Sequence, residues 1–280
     1  MKTLLLCPSE KPRISAIPEY PAAVLPMLGQ SLIEYWLCSL ARNGTEQVLV
    51  AASDGAEEVR RLVGDGSRWG IKAAVMEEAR PLNAVEAMIK YAAELGPTPD
   101  RTTVLVLNHF PGHPDRLLFG GPAEFMAGLL AWMPQALTPD RVGVREIRPG
   151  VWTGVNATIS PGARLEPPCW VGQHALIEEE ATIGPNTIIE DGVVVETTAE
   201  IQCSWIGPRT LVGEFTRIQD SVAWGNRLVN WKTGAETTVP DPFVLCALEH
   251  PRVGHRVGLL ARAVDLYRRN KERVPFFMEP

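Results

Sequence analysis

The segment Asn108-His109-Phe110-Pro111-Gly112-His113-Pro114-Asp115 gathers two imidazoles and a carboxylate in one short stretch. Imidazole and carboxylate are good ligands for divalent metals. No third fixed ligand is apparent, and the Pro and Gly mark a loop, so no metal is assigned. The segment follows the apolar run Thr103-Val104-Leu105-Val106-Leu107, which places it at the end of a strand and makes it the first place to look for a bound ligand. The five cysteines are odd in number and lack any CxxC spacing, which points to reduced core residues in a cytoplasmic protein. The net charge of −6 gives no support to a nucleic-acid or anionic-membrane partner. One region departs from that balance: beyond His250 there are seven Arg or Lys against three acids, with Arg268, Arg269, Lys271 and Arg273 close together. No apolar run approaches the roughly 18 residues that a membrane-spanning helix needs.

The elements that must position these residues fall into two halves with different periods. From Ile147 onward, apolar residues recur every six positions, through Thr153, Ile159, Leu165, Val171, Ile177, Ile183, Ile189, Val195 and Ile201. After a five-residue step the spacing resumes through Ile206, Val212, Ile218 and Trp224. A second, mostly small residue follows each by four, as at Ala157, Ala163, Ala175 and Ala181, and Gly often follows directly, as at Gly154, Gly172 and Gly207. This pattern is the hexapeptide repeat of a left-handed parallel β-helix, in which three hexads close a coil of about 18 residues and successive coils stack about 4.8 Å apart. Trp152, Trp170, Trp205, Trp224 and Trp231 lie in or beside the repeats, next to inward positions, and suggest an outward interface.

The first 140 residues alternate short apolar strands with helical patterns. Leu4-Leu5-Leu6, Gln47 to Ala51, Ile71 to Met76 and Thr103 to Leu107 read as strands; Ser31 to Asn43, Ala56 to Val63, Ala84 to Leu95 and Pro122 to about Leu137 read as helices. That order predicts a parallel α/β sheet with ligands at the strand C-termini. The expected organisation is an α/β domain over 1–140, a β-helix over 147–230, and a capping segment with a C-terminal helix over 231–280. Within the last segment, 226–231 and 241–245 read as short capping strands and 253–273 as an amphipathic helix.

This order of parts resembles the sugar-phosphate nucleotidyltransferases, the nucleotide-sugar pyrophosphorylases. Leu25-Pro26-Met27-Leu28-Gly29-Gln30-Ser31-Leu32-Ile33-Glu34-Tyr35 is similar to their "LPVGGKPLIEY". Gly64-Asp65-Gly66-Ser67-Arg68-Trp69-Gly70-Ile71 is similar to "GDGSRFGV", and Glu77-Glu78-Ala79-Arg80-Pro81-Leu82 to "EQPEPLG". The resemblance spans residues 1 to about 108 and the β-helix, and implies a truncated Rossmann-like nucleotidyltransferase fold. It also implies an activity, the joining of a sugar 1-phosphate to a nucleoside triphosphate with release of pyrophosphate. That chemistry uses a glycine loop, cationic side chains and an Asp that holds Mg²⁺.

The chain departs from the family at those points. The "GGxGTR" loop is replaced by Pro8-Ser9-Glu10-Lys11-Pro12-Arg13, which keeps Arg13 alone in register. The lysine of "PKP" falls on Ala22, "GTA" becomes Asn83-Ala84-Val85, and the metal-binding Asp of "GD" falls in Leu107-Asn108-His109-Phe110. The expected function is therefore a nucleotidyltransferase-like binding, regulatory or scaffold module of nucleotide-sugar or polysaccharide biosynthesis, with Ser9, Lys11, Arg13, Asn83, Asn108 and His109 as candidate substrate contacts. An active sugar 1-phosphate nucleotidyltransferase is one alternative, with Arg13 as the candidate catalytic residue and Mg²⁺ as cofactor. A second comes from the resemblance of β-helix proteins to hexapeptide acyltransferases, where a His acts as general base; His174 is the only histidine inside the repeats. Expected partners are a nucleotide or nucleotide sugar and a second copy of the chain bound through the β-helix. The segments 226–230 and 241–245 also resemble the end of modules fused to bacterial sugar-phosphate transferases, which implies a membrane-bound sugar transferase as partner or fused domain.

Overall fold

The computed structural model describes residues 2–7, 12–95, 102–137 and 141–248. The candidate residues Ser9 and Lys11 and the predicted helix at 253–273 lie outside the described residues. Four parallel strands form the N-terminal sheet in the order β5-β4-β1-β6: β1 (Lys2–Cys7), β4 (Gln47–Ala52), β5 (Lys72–Glu77) and β6 (Thr102–Val106). Leu4, Leu5 and Val50 are buried, as the uninterrupted apolar runs require of a sheet covered on both faces. Between β1 and β4 lie a two-stranded hairpin, β2 (Pro26–Met27) and β3 (Gln30–Ser31), and helix α1 (Leu32–Arg42). Ser31 and Glu34 form a capping box that starts α1 on the residue after the hairpin. Helix α2 (Ala56–Val63) follows β4. The helix expected over Ala84 to Leu95 is two pieces, α3 (Ala84–Lys90) and α4 (Ala92–Leu95), and α5 (Pro122–Trp132) begins with Pro at its first turn.

The second half is a three-sheet parallel coil. One sheet stacks β8 (Val151–Gly154), β11 (Cys169–Val171), β14 (Thr187–Ile189), β17 (Trp205–Ile206) and β20 (Ser221–Trp224). The second stacks β9 (Thr158–Ile159), β12 (Leu176–Ile177), β15 (Val194–Val195) and β18 (Thr210–Val212). The third stacks β10 (Arg164–Leu165), β13 (Thr182–Ile183), β16 (Glu200–Gln202) and β19 (Arg217–Gln219). Hexad positions Val171, Ile177, Ile183, Ile189, Val195, Ile201, Ile206 and Val212 point inward and are fully buried, with Ala175, Ala181 and Ala199 at the corners. Corner residues such as Asn156, His174, Asn186 and Thr198 take positive φ, which lets six residues turn a side of the triangle.

Three details differ from the pattern read in the sequence. Ile147 does not begin the coil: it lies in β7 (Val144–Arg148), which runs antiparallel to β8, and it is 46% exposed. Trp224 is not an inward residue, because a second shortened step puts Ala223 opposite Ile206 and turns Trp224 outward. The capping strand expected at Asp241 to Leu245 is instead β23 (Leu245–Ala247), antiparallel to β18, since Asp241 caps a turn through a bond from the Phe243 N–H to its carboxylate. At the same end β21 (Arg227–Asn230) and β22 (Glu236–Thr238) fold back antiparallel on β20.

The α/β layers and the coil share one core. The outward residues at the centre of the first sheet, Trp152, Trp170, Ile188, Trp205 and Val222, form a ladder in register from coil to coil. This ladder is buried with Met27, Leu28, Tyr35, Phe125 and Trp132 of the α/β half. Trp170 and Trp205 are wholly buried, and Phe125 meets Trp205 edge-on at 5.4 Å. The tryptophan face on which a contact between copies was expected is thus covered by the chain's own α/β half.

Candidate functional site

In a parallel α/β sheet, ligands meet the loops that follow the strand C-termini. After β6, the Leu107 N–H continues the ladder onto Leu6, and the chain then leaves the sheet at Asn108. The Asn108 Oδ1 lies 2.8 Å from the His109 Nδ1, and the His109 carbonyl accepts a bond from the Trp36 indole at 2.8 Å. The His109 ring stands edge-on to Trp36 at 5.3 Å. Burial, and then the neighbouring His113, hold the His109 imidazole below its ordinary pKa, so it is neutral at physiological pH. His113 is turned toward α5, with its Nε2 2.9 Å from the Gln135 Nε2 and its ring edge-on to Trp132. Among the described residues, no group of three or more His, Cys, Asp or Glu stands close enough to hold a metal ion.

The other candidates do not converge on this pair through any bond among the described residues. Asn83 caps α3: its Oδ1 accepts the Glu86 N–H while the Asn83 N–H donates to the Glu86 carboxylate. Arg80 grips the same carboxylate with two nitrogens, and this pairing holds Glu86 down to about pKa 2. Arg13 is exposed, and its N–H reaches the Phe119 carbonyl at 3.4 Å. His174 occupies an exposed coil corner with φ of 55°. Next to β5, Glu78 is buried and accepts two contacts of 2.7 Å from Lys90 and one from the Tyr91 hydroxyl. Burial would raise the Glu78 pKa, but these donors outweigh it and hold the carboxyl below its ordinary range.

A second polar cluster lies where the hairpin meets the coil, and motif reading selects none of its members as functional. Leu28 and Gly29 both have positive φ, 53° and 73°, so the turn between β2 and β3 has the mirror-image geometry that suits a tight hairpin. Their two N–H groups converge on one carboxylate, that of Glu190, at 2.6 and 2.9 Å. The Trp205 indole donates to the same carboxylate at 2.8 Å. Glu190 is completely buried. Burial, reinforced by the adjacent Asp191, pushes its pKa up to about 7 against the pull of the three donors. Arg141 closes the cluster from the other side, with bonds to the Tyr35 hydroxyl at 3.1 Å and the Ala136 carbonyl at 3.0 Å and a further contact to the Leu28 carbonyl. Its guanidinium lies over the Trp170 ring at 4.9 Å. Asp191, raised by burial, accepts the Gln173 N–H at 2.7 Å. One signal in the sequence marks this site. The equivalent position after the inward residue of the first sheet is Gly154, Gly172 and Gly207 in three of the other coils, whereas Glu190 here, and Trp224 in the last coil, depart from the glycine.

These features define a class: an α/β sheet with a hairpin and capping-box helix after its first strand, continued by a parallel β-helix. Residues 18–115 match the family model described as nucleotidyl transferase, so the chain is nucleotidyltransferase-like in its α/β half. Among solved structures it is similar to the acetyltransferase domain of PglB from Neisseria gonorrhoeae FA1090 in complex with acetyl coenzyme A. The identity there is 11%, over 62% of this chain and 78% of that one, with a TM-score of 0.18. A second structure of that domain gives 12% identity, over 62% of this chain and 80% of that one, with the same TM-score of 0.18. Likenesses at this level carry no weight for function. Among the described residues, no helix is long and apolar enough to cross a membrane.

Proposed function

We propose that this chain is a nucleotidyltransferase-like module of nucleotide-sugar or polysaccharide biosynthesis that works by binding or scaffolding rather than by nucleotidyl transfer. The observation that carries the reading is at the end of β6. Where the resemblance calls for a metal-binding Asp, the stretch Leu107-Asn108-His109-Phe110 holds no acid, and the Asn108 amide oxygen is turned to the neighbouring His109. An amide cannot supply the negative charge with which a carboxylate holds Mg²⁺ against phosphate oxygens. Asn83 supports the same reading, because its side chain is taken up in capping its own helix. The parts kept intact are those that shape the sheet and hold the hairpin.

The test is a panel of sugar 1-phosphates with nucleoside triphosphates and Mg²⁺, followed by pyrophosphate release. The expected result is no turnover above background. Robust turnover abolished by Arg13→Ala would overturn the proposal. A thermal-shift screen with nucleotides and nucleotide sugars then separates a binding module from a scaffold. A ligand at a hundredfold excess over its Kd stabilises by about 2.7 kcal/mol, which shifts the transition measurably.

A further inference from the structure

The two ends of the coil are finished differently. At the C-terminal end, β21 covers β20, β23 covers β18, and Leu245 closes the interior with 1% exposure. At the N-terminal end, β7 covers β8, but among the described residues β9 and β10 are hydrogen-bonded on one side only, to β12 and β13. The inward residues of this first coil, Ala157, Ile159 and Ala163, are partly exposed, while Ala175, Ile177 and Ala181 one coil further in are 1%, 0% and 0% exposed. Two open grooves, of about 490 and 520 Å³, meet at Ile147 and Ile159.

Free strand edges are normally guarded by charge, proline or a covering segment. Thr158 and Ile159 of β9 carry no charge, so this edge remains competent to pair. Shape limits what can pair with it. β7 carries its sheet one strand beyond the other two, so the end is a ledge rather than a flat surface. Two copies meeting end to end with their first sheets aligned would be held apart by their β7 strands, about 10 Å at the other two faces, given about 4.8 Å per strand. A single extended segment fits the ledge, as β23 fits the opposite end. Charge limits the occupant further. Arg145, Arg148 and Arg164 line the two grooves, and among the described residues no acidic one does. Arg148 is turned to the Leu165 carbonyl, while Arg145 and Arg164 have no ion-pair partner among the described residues.

We propose that the open N-terminal end of the β-helix is the docking site for an extended, acidic segment of a partner protein. The segment adds a strand along β9, lays alternate apolar side chains over Ile159 and Ala163, and directs its carboxylates to Arg145 and Arg164. This recognition combines backbone pairing for affinity with side-chain alternation for selection.

The probe is a fluorescein-labelled synthetic peptide that alternates valine with Asp or Glu, titrated with the full chain and read by fluorescence anisotropy. A peptide with Lys at the acidic positions is the control. The expected result is saturable binding of the acidic peptide alone, weakened by added salt. Ile159→Glu should remove it, and Arg145→Gln with Arg164→Gln should weaken it about tenfold, the value of roughly 1.4 kcal/mol across two rim charges. Thermal melting of each variant establishes that it is folded, and the glutamine pair serves if Ile159→Glu fails that criterion. Equal binding of both peptides, binding undiminished in the glutamine pair, or no binding at millimolar protein overturns the proposal. So does a dimer in light scattering that Ile159→Glu abolishes, since a second copy would then be the occupant.

Discussion

The carboxyl edge of the parallel sheet and the joint between hairpin and coil both collect polar side chains, but they connect them over different distances along the chain. At the sheet edge, Asn108 meets the residue beside it, and Asn83 meets Glu86 three positions on. At the joint, Leu28 meets Glu190 across 162 residues and Arg141 meets Leu28 across 113. The first kind of contact organises a loop or a helix end. The second kind fixes one half of the molecule against the other. The family-like motif around the hairpin therefore serves here as the seat of a buried joint with the coil, while the loop that follows β6 is tied to its own neighbours and to Trp36 and Gln135 within the α/β half.

Substitutions at the joint should cost far more than those at the sheet edge. Trp205→Ala removes a fully buried indole, its contact with Phe125 and a bond to Glu190, and should destabilise by about 4 kcal/mol. Urea unfolding followed by circular dichroism measures this, and a loss below about 1 kcal/mol would mean that the ladder does not hold the halves together. Glu190→Ala should cost about 3 kcal/mol by the same measurement, because it leaves two backbone N–H groups and an indole buried without an acceptor.

The pH dependence sharpens the role of that carboxylate. Its folded pKa, about 7, lies above its ordinary value of 4.5. A raised acid pKa means that its contribution to stability is fully present below about pH 4.5 and is lost as pH rises to 7. The fall attributable to this group is about 3 kcal/mol. Unfolding of wild type and Glu190→Gln across this window should show the fall in wild type only. The Trp205 indole N–H signal, assigned with Trp205→Phe, should titrate near neutrality in wild type and stay constant in Glu190→Gln.

Smaller effects discriminate further. Gly29→Ala should cost about 2 kcal/mol, since Gly29 has φ of 73° and an added Cβ would lie 2.6 Å from an Arg141 nitrogen. Arg141 is held by its hydrogen bonds and cannot move aside freely. At the other extreme, Arg13→Ala and His174→Ala alter exposed side chains and should change stability by less than about 0.5 kcal/mol. A loss at Arg13 as large as that at Glu190 would remove the distinction between the two regions.

The coil was legible in the sequence because its period is local: each hexad states its own inward residue and its own corner. The parallel sheet was legible for a similar reason, since Leu4 to Leu6 and Gln47 to Ala51 are strands too apolar to face water. The apolar spacing over Ser31 to Asn43 marked α1, and the structure adds the Ser31–Glu34 capping box that starts it. The ladder of Trp152, Trp170 and Trp205 was visible as a set of outward tryptophans, but one side of a coil looks the same whether it covers a second copy or the chain's own sheet. Tertiary structure decided that, by packing α5 and the hairpin on it. It also decided the role of Glu190. A lone glutamate among hexads reads as a solvated corner residue, and only the approach of Leu28 and Gly29, with both N–H groups turned to one point, makes burial of its charge sustainable. Sequence determines which residues point inward along each element. Which elements then meet depends on long-range apolar burial and on buried polar groups finding partners, and neither is written in a local spacing.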